Sequence, residues 1–400
     1  MDKLDFVCFS VNNWEKRKAR KQQFMLHLSL RDDVGRVLYV EPALNLWRLI
    51  LLPWAELNSR ENRIRWKRAL LLWVTPSVES GKLFIFTPLF IIPFSYRCYW
   101  LYKINLYILA VIIKAKLRHN GFQNIVLWVY HPFDYPLLCW FSDAVLSVFD
   151  WAEEWAEYFI EYGRRQKMRL RFLEEQMIKD ADLVFIVSDV LLKQALAFNP
   201  NSYHILDGTV HEIFQPSAEE PPVDMARIKR PIAGYLGSVS ERMDTELLEY
   251  VSKRYPDVSF VCIGDIHYQR VVLGNLQHCA NVYFLGLKPY EELGKYALFF
   301  DICILPYKPL SSTYISPTKI FDYLATGKPI VSIALACLNN FSGVLYAAHT
   351  KEEFADLFGK ALQEDNAQLR QKRKDIARQN TWEQRAEEIM NIAQQRMRYG

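Results

Sequence analysis

Five short apolar runs in the C-terminal half constrain the fold more than any other feature of this chain. They are Ile232–Leu236, Ser259–Ile263, 281–285, Ile302–Leu305 and 329–333. The segments between them carry helical spacing, as at Leu247, Leu248 and Val251. Apolar strands that alternate with amphipathic helices belong to a parallel sheet covered on both faces. Such sheets bind ligands beyond the carboxyl ends of their strands. The loops after Leu236, Ile263 and Leu305 are therefore expected to carry the chemistry. The N-terminal half repeats the alternation more loosely, with strands read at 5–10, 36–40, 83–87, 125–130, 147–149 and 183–187.

Four hundred residues exceed what one hydrophobic core usually organises, so two domains are expected. Pro216, Pro221, Pro222 and Pro231 mark 214–231 as a linker. The division read from this is 1–213 for the first domain, 214–380 for the second, and 381–400 for a polar helix. A net charge of +4 is too small to argue for nucleic acid. The seven cysteines are scattered, odd in number and never spaced C-x-x-C, which reads as reduced core thiols and no zinc site. The N-terminus lacks a signal-peptide layout, and no run reaches the roughly 18 apolar residues of a spanning helix. The expected location is the cytoplasm.

The segment from Ser316 to Pro329, SPTKIFDYLATGKP, is the most informative. Ser316 suits a helix N-cap, Pro317 the first helical position, and Gly327 the terminator. The positive end of this helix would face the ligand crevice and favour an anion, with Ser316 and Thr318 at its start. Lys319 adds a charge that can reach a diphosphate. Asp322, three residues on and on the same face, can accept hydrogen bonds from a ribose diol. An ordinary capped helix with a surface Lys–Asp pair accounts for the same residues. Gly237 and Ser238 follow the first strand of this half, with Arg242 close behind. Glycine permits close backbone approach and arginine's planar fork suits phosphate. The stretch is not the G-x-G-x-x-G of a nicotinamide site.

At these residues the sequence resembles the GT-B glycosyltransferases, specifically the large family-4-like group that includes bacterial polysaccharide and teichuronic-acid enzymes. The landmarks are 234–238, 256–264, 281–286 and the 316–329 segment. Leu206 to Val210 looks like a variant of the Asn-Gly-Val turn of that group, and Thr381 to Arg385 like the start of its terminal helix. The resemblance implies two facing Rossmann-like doubly wound domains, an α/β architecture with a central cleft. It also implies a nucleotide-sugar donor, UDP- or GDP-linked, held mainly by the second domain, and no required metal. Many retaining members carry two glutamates eight residues apart. Here Tyr314 and the shorter Asp322 stand at those positions, so the retaining mechanism does not carry over.

Sugar transfer needs the leaving phosphate stabilised and the acceptor hydroxyl oriented, often by a base. Asp150, Glu153 and Glu154 follow the strand 147–149, in a stretch similar to a Tyr-Asp-x-x-Asp of that group. Asp150, then Glu153, is the expected acid or base, although both also suit the first turn of a helix over 151–162. His131, after the strand 125–130, is a further candidate to orient substrate or act as a base.

Residues 46–54, 63–74 and 96–118 mix Trp and Leu with basic residues, among them Arg48, Arg63, Arg65, Lys67 and Arg68. Such helices can lie on an anionic membrane or pack on a sheet with their basic faces in water. The reading is a glycosyltransferase with a glycan or lipid-linked acceptor. Two alternatives stay open: a nucleotide-sugar epimerase of the same fold, and a catalytically inactive GT-B binding subunit.

Overall fold

The structure is a computed structural model that describes residues 3–14, 19–72, 74–77, 80–93, 98–153, 155, 163–215, 220–266, 273–308, 319–364 and 366–399. The chain divides into two compact units, 1–205 with 385–400, and 206–384. Residues 206–213, read from sequence as the end of the first domain, count with the second unit.

The first unit is built on β1 (Leu4–Phe9), β2 (Val34–Val40), β4 (Val74–Pro76), β5 (Leu83–Phe86), β7 (Ile125–Val129), β8 (Leu146–Trp151), β9 (Leu183–Ile186) and β10 (Ser202–His204). Their order is β10-β9-β8-β7-β1-β2-β5-β4, parallel except for β4 against β5. A separate pair joins β3 (Leu44–Asn45) to β6 (Leu89–Phe90). β1 and β9 are buried at every residue, as expected of parallel strands covered on both faces. The helices used below are α1 (Arg20–Leu30), α2 (Leu46–Leu51), α3 (Pro53–Glu56), α4 (Arg60–Leu71) and α5 (Tyr99–His119).

The second unit holds β11 (Ile232–Leu236), β12 (Ser259–Ile263), β13 (Val282–Gly286), β14 (Ile302–Leu305), β15 (Ile330–Ile333) and β16 (Tyr346–Ala348). They form one wholly parallel sheet in the order β13-β12-β11-β14-β15-β16. The chain reverses its direction of travel between β11 and β14, and in the first sheet between β1 and β7. At such a switch point the following loops diverge and leave a crevice. Gly237 and Lys308 flank one crevice; Ser10 and His131 flank the other.

Two sequence expectations change. The strand read at 147–149 runs on to Trp151, so the helix read over 151–162 does not begin at 151; Trp155 is helical, and 154 and 156–162 lie outside the described residues. The thiols are free as expected, but only Cys8, Cys262 and Cys303 are buried, while Cys98 and Cys139 are exposed.

Candidate functional site

In the second unit, three strand ends converge. Gly237, immediately after β11, has φ +141° and donates its amide to the carbonyl of Ile263 at 2.8 Å. Gly264, immediately after β12, lies so close that a Cβ on it would sit 2.2 Å from the Gly237 oxygen. The two turns thus touch backbone to backbone, which a side chain at Gly264 would prevent. Ser238 extends the contact, its hydroxyl donating to Asp265 at 2.5 Å. The loop carrying Arg242 is tied to the end of β14, since the Arg242 carbonyl accepts the Lys308 amide at 2.9 Å.

Lys319 opens the helix Lys319–Thr326, buried along most of its length. Tyr323 clamps that helix to the sheet by donating toward the Ile304 carbonyl and accepting the Leu236 amide at 2.7 Å. The clamp delivers the Lys319 ammonium over the turn after β11: a Cβ on Gly237 would lie 2.3 Å from it. The ammonium stands 4.0 Å from the Tyr235 ring centre and 5.2 Å from that of Tyr307. Two aromatic faces help a cation bear burial. The nearby Cys262 thiol is pushed up to about 12 by burial, against the opposing Lys319 charge.

One turn along the helix, Asp322 is buried. Its Oδ1 accepts the Thr209 hydroxyl at 2.7 Å and the Tyr290 hydroxyl at 2.9 Å. Burial and the Asp322 carboxylate hold the Tyr290 phenol well above its usual range. The Lys–Asp pair is therefore no solvated surface pair. Ser316, Pro317, Thr318 and Tyr314 lie outside the described residues. Thr209, Tyr290, Tyr235, Tyr307 and Asp265 are the participants that sequence reading passed over. Thr209 and Tyr235 lie in the 206–210 and 234–238 segments without a role read for them, and Gly264-Asp265 repeats the layout of Gly237-Ser238 after the next strand.

In the first unit, Asp150, read from sequence as an acceptor-side acid or base, is a buried ion-pair partner. It has no exposed surface, and Arg20 holds it through Nε at 3.1 Å from each oxygen and Nη2 at 2.9 Å. The same guanidinium donates to the Ile205 carbonyl at 2.9 Å. Glu153, just beyond the end of β8, is half-buried. Glu154 lies outside the described residues.

His131 follows β7, and its Nδ1 accepts the Phe133 amide at 3.1 Å. The ring packs on Phe133 and Trp155, and burial lowers its pKa to about 3. An accepting Nδ1 leaves the proton of the neutral ring on Nε2. Among the described residues, no cluster of His, Cys, Asp or Glu is placed to hold a metal ion. Among them, no helix is long and apolar enough to cross a membrane.

No family model matches the sequence. Over 232 residues the chain is 26% identical to a Bacillus subtilis protein named as a glycosyltransferase of teichuronic acid biosynthesis, TuaH; the match covers 54% of this chain and 57% of that one. Among solved structures, a sucrose-phosphate synthase from Thermosynechococcus elongatus superposes with a TM-score of 0.70 at 14% identity, over the full length of both chains. The Anabaena protein HepE in complex with UDP-glucose gives 0.61 at 12% identity, over 98% of this chain and 99% of that one. An Escherichia coli trehalose-6-phosphate protein bound with UDP-2-fluoro glucose gives 0.64 at 13%, with the same coverage. Two doubly wound units, their switch-point crevices and these full-length superpositions establish that the chain has the GT-B fold.

Proposed function

We propose that the chain is a glycosyltransferase that moves a sugar from a nucleoside-diphosphate sugar to a glycan or lipid-linked acceptor. The observation that carries this reading is the Lys319 ammonium poised over the Gly237 turn, with Asp322 one helical turn further on. The similarity to TuaH supports it, as does the UDP-glucose bound by HepE. Lys319, Arg242 and the amides around Gly237 and Ser238 would bind the donor diphosphate, joined by Ser316 and Thr318 at the helix start. Asp322 would take the ribose, through Oδ2 or by displacing the Thr209 and Tyr290 hydroxyls from Oδ1.

In the transfer, the acceptor oxygen forms a bond to the anomeric carbon. The bond from that carbon to the diphosphate oxygen breaks, and the nucleoside diphosphate leaves with the electron pair. Glu153 is the residue we assign to receive the acceptor proton, with His131 Nε2 as a donor that orients the acceptor. The donor is a UDP- or GDP-sugar, no metal is called for, and the enzyme works at the cytoplasmic face of an anionic membrane.

Thermal stabilisation against UDP, GDP, TDP, ADP, CMP and their sugar conjugates tests the donor site. A ligand at about 100 times its dissociation constant adds roughly 2.7 kcal/mol. One diphosphate should raise Tm, and Lys319→Ala or Arg242→Ala should cut the shift while leaving the unliganded Tm close to wild type. Release of free nucleoside diphosphate with acceptor present should fall at least tenfold in Glu153→Gln at unchanged donor binding. A folded protein that responds to none of these nucleotides would favour the inactive binding subunit.

A further inference from the structure

α2 and α3 bury none of their residues, although their sequence, from Leu46 to Glu56, is dominated by Leu, Ile and Trp. Leu51 is 67% exposed and Trp54 73%, with Ile50 and Leu52 beside them. Apolar side chains left in water at this density mark a surface that meets something. The ridge is nevertheless built, not frayed. Asn45 caps α2 through the Trp47 amide at 3.0 Å, and Arg48 pairs with Glu56 across the corner at 2.7 Å. The Trp47 indole N–H donates to the Ile91 carbonyl at 2.8 Å, which fixes the ridge to the chain leading into α5.

α4 docks through Arg65, Trp66 and Ala69 and turns its other side outward. That side interleaves cations with apolar residues at helical spacing: Arg60, Arg63, Ile64, Lys67 and Leu71, all exposed. The basic surface expected from sequence is thereby corrected. Arg65 is buried on Glu41 at 3.3 Å and belongs to the core. Residues 42–121 carry twelve Lys and Arg against three Asp and Glu, whereas the whole chain is only +4, so the remainder is net acidic. Trp100, 68% exposed at the start of α5, neighbours Tyr99, whose ring stacks under Arg169 at 5.4 Å.

We infer that this face of the first unit seats on an anionic lipid surface, with the α2–α3 ridge inserted among the acyl chains and the α4 cations on the headgroups. An apolar ridge next to a one-signed field matches a bilayer in both respects, partition of Leu and Trp and attraction of phosphate. A protein partner of equal apolarity would not require the cationic excess. The inference deepens the reading of the chain as a transferase for membrane-borne acceptors and rests on it. Vesicle binding needs no donor, however, so failure there and failure of the nucleotide test are distinguishable.

The test is co-sedimentation of the full chain with vesicles of pure phosphatidylcholine and of phosphatidylcholine with 30% phosphatidylglycerol. Binding to the anionic vesicles is expected, weakening with salt, with little binding to the neutral ones. Each cation removed should cost about fivefold, so Arg60→Gln, Arg63→Gln and Lys67→Gln together should cost roughly a hundredfold. Leu51→Ser with Trp54→Ser should cost tenfold or more while Tm stays put, because neither residue is buried. The inference is overturned if wild type ignores anionic vesicles or if both variants bind as wild type does. It is equally overturned if the Ser variants leave vesicle binding intact but convert a dimer to a monomer in light scattering, which would make the ridge a self-association face.

Discussion

Asp134 accepts a hydrogen bond from the Tyr102 hydroxyl in a buried setting that raises its pKa from 3.8 to about 7. Between roughly pH 4 and 7 the native state therefore keeps a proton that the unfolded chain releases. The slope of stability with pH from this residue is negative, and stability falls as pH rises through that window. His131 works the other way, since its folded pKa of about 3 lies below 6.5 and its contribution falls as pH drops through 6.5. Of these two residues, only Asp134 contributes a slope above pH 6.5. Asp134→Asn keeps an acceptor for Tyr102 and removes the titration. Its urea midpoint should gain on wild type between pH 5 and pH 8; an equal difference at both pH values would mean that the native carboxyl is not protonated.

At the level of elements, the Arg20–Asp150 pair ties the first turn of α1 to β8 across 130 residues of sequence. Breaking a buried pair from one side strands a charge and costs about 3–5 kcal/mol, while replacing both partners with apolar groups is often near neutral. Arg20→Met should lower Tm sharply, and Arg20→Met with Asp150→Leu should recover most of the loss. If the double variant is as unstable as the single one, packing around Arg20, such as its seat on Phe24, outweighs the charge. The pair also shows what a sequence reveals. β9, β11 and β14 were legible because strands buried on both faces read as unbroken apolar runs, and β1 and β12 because a single polar residue, Asp5 or Ser259, interrupts or opens such a run. Short strands such as β4, β10 and β16 carry too little pattern. Gly237 and Lys319 were legible as ends of elements, and Asp322 as the residue one helical turn further on. The Thr209 contact to Asp322 and the Arg20 contact to Asp150 were not, because pairing across more than 100 residues has no period to detect. Arg65 misled because its partner Glu41 lies 24 residues away, just past the end of β2, off the helical spacing that made α4 look basic.

At the scale of the molecule, the helix Trp382–Tyr399 starts in the second unit, and from Arg385 onward it belongs to the first. Ala386, Ile389, Met390 and Ala393 are buried, and Gln394 donates to Asp33 at 3.3 Å. Burial of an Ile or Met is worth about 1.5–3 kcal/mol each. Residues 1–205 expressed alone should show a lowered Tm and bind a hydrophobic dye. A peptide of residues 385–400 added in trans should reverse both, and an indifferent 1–205 would mean that the helix is dispensable to the first unit.

The same helix sets a clock on biosynthesis. The first unit leaves the ribosome first, yet its last stretch of core is translated only after the whole second unit, a delay of about 10–40 s at usual elongation rates. The second unit is complete within a single continuous stretch of chain and can close while the first still waits. In the nascent protein the order of maturation is thus the reverse of the order of synthesis, and the unfinished first unit is where a chaperone would be needed.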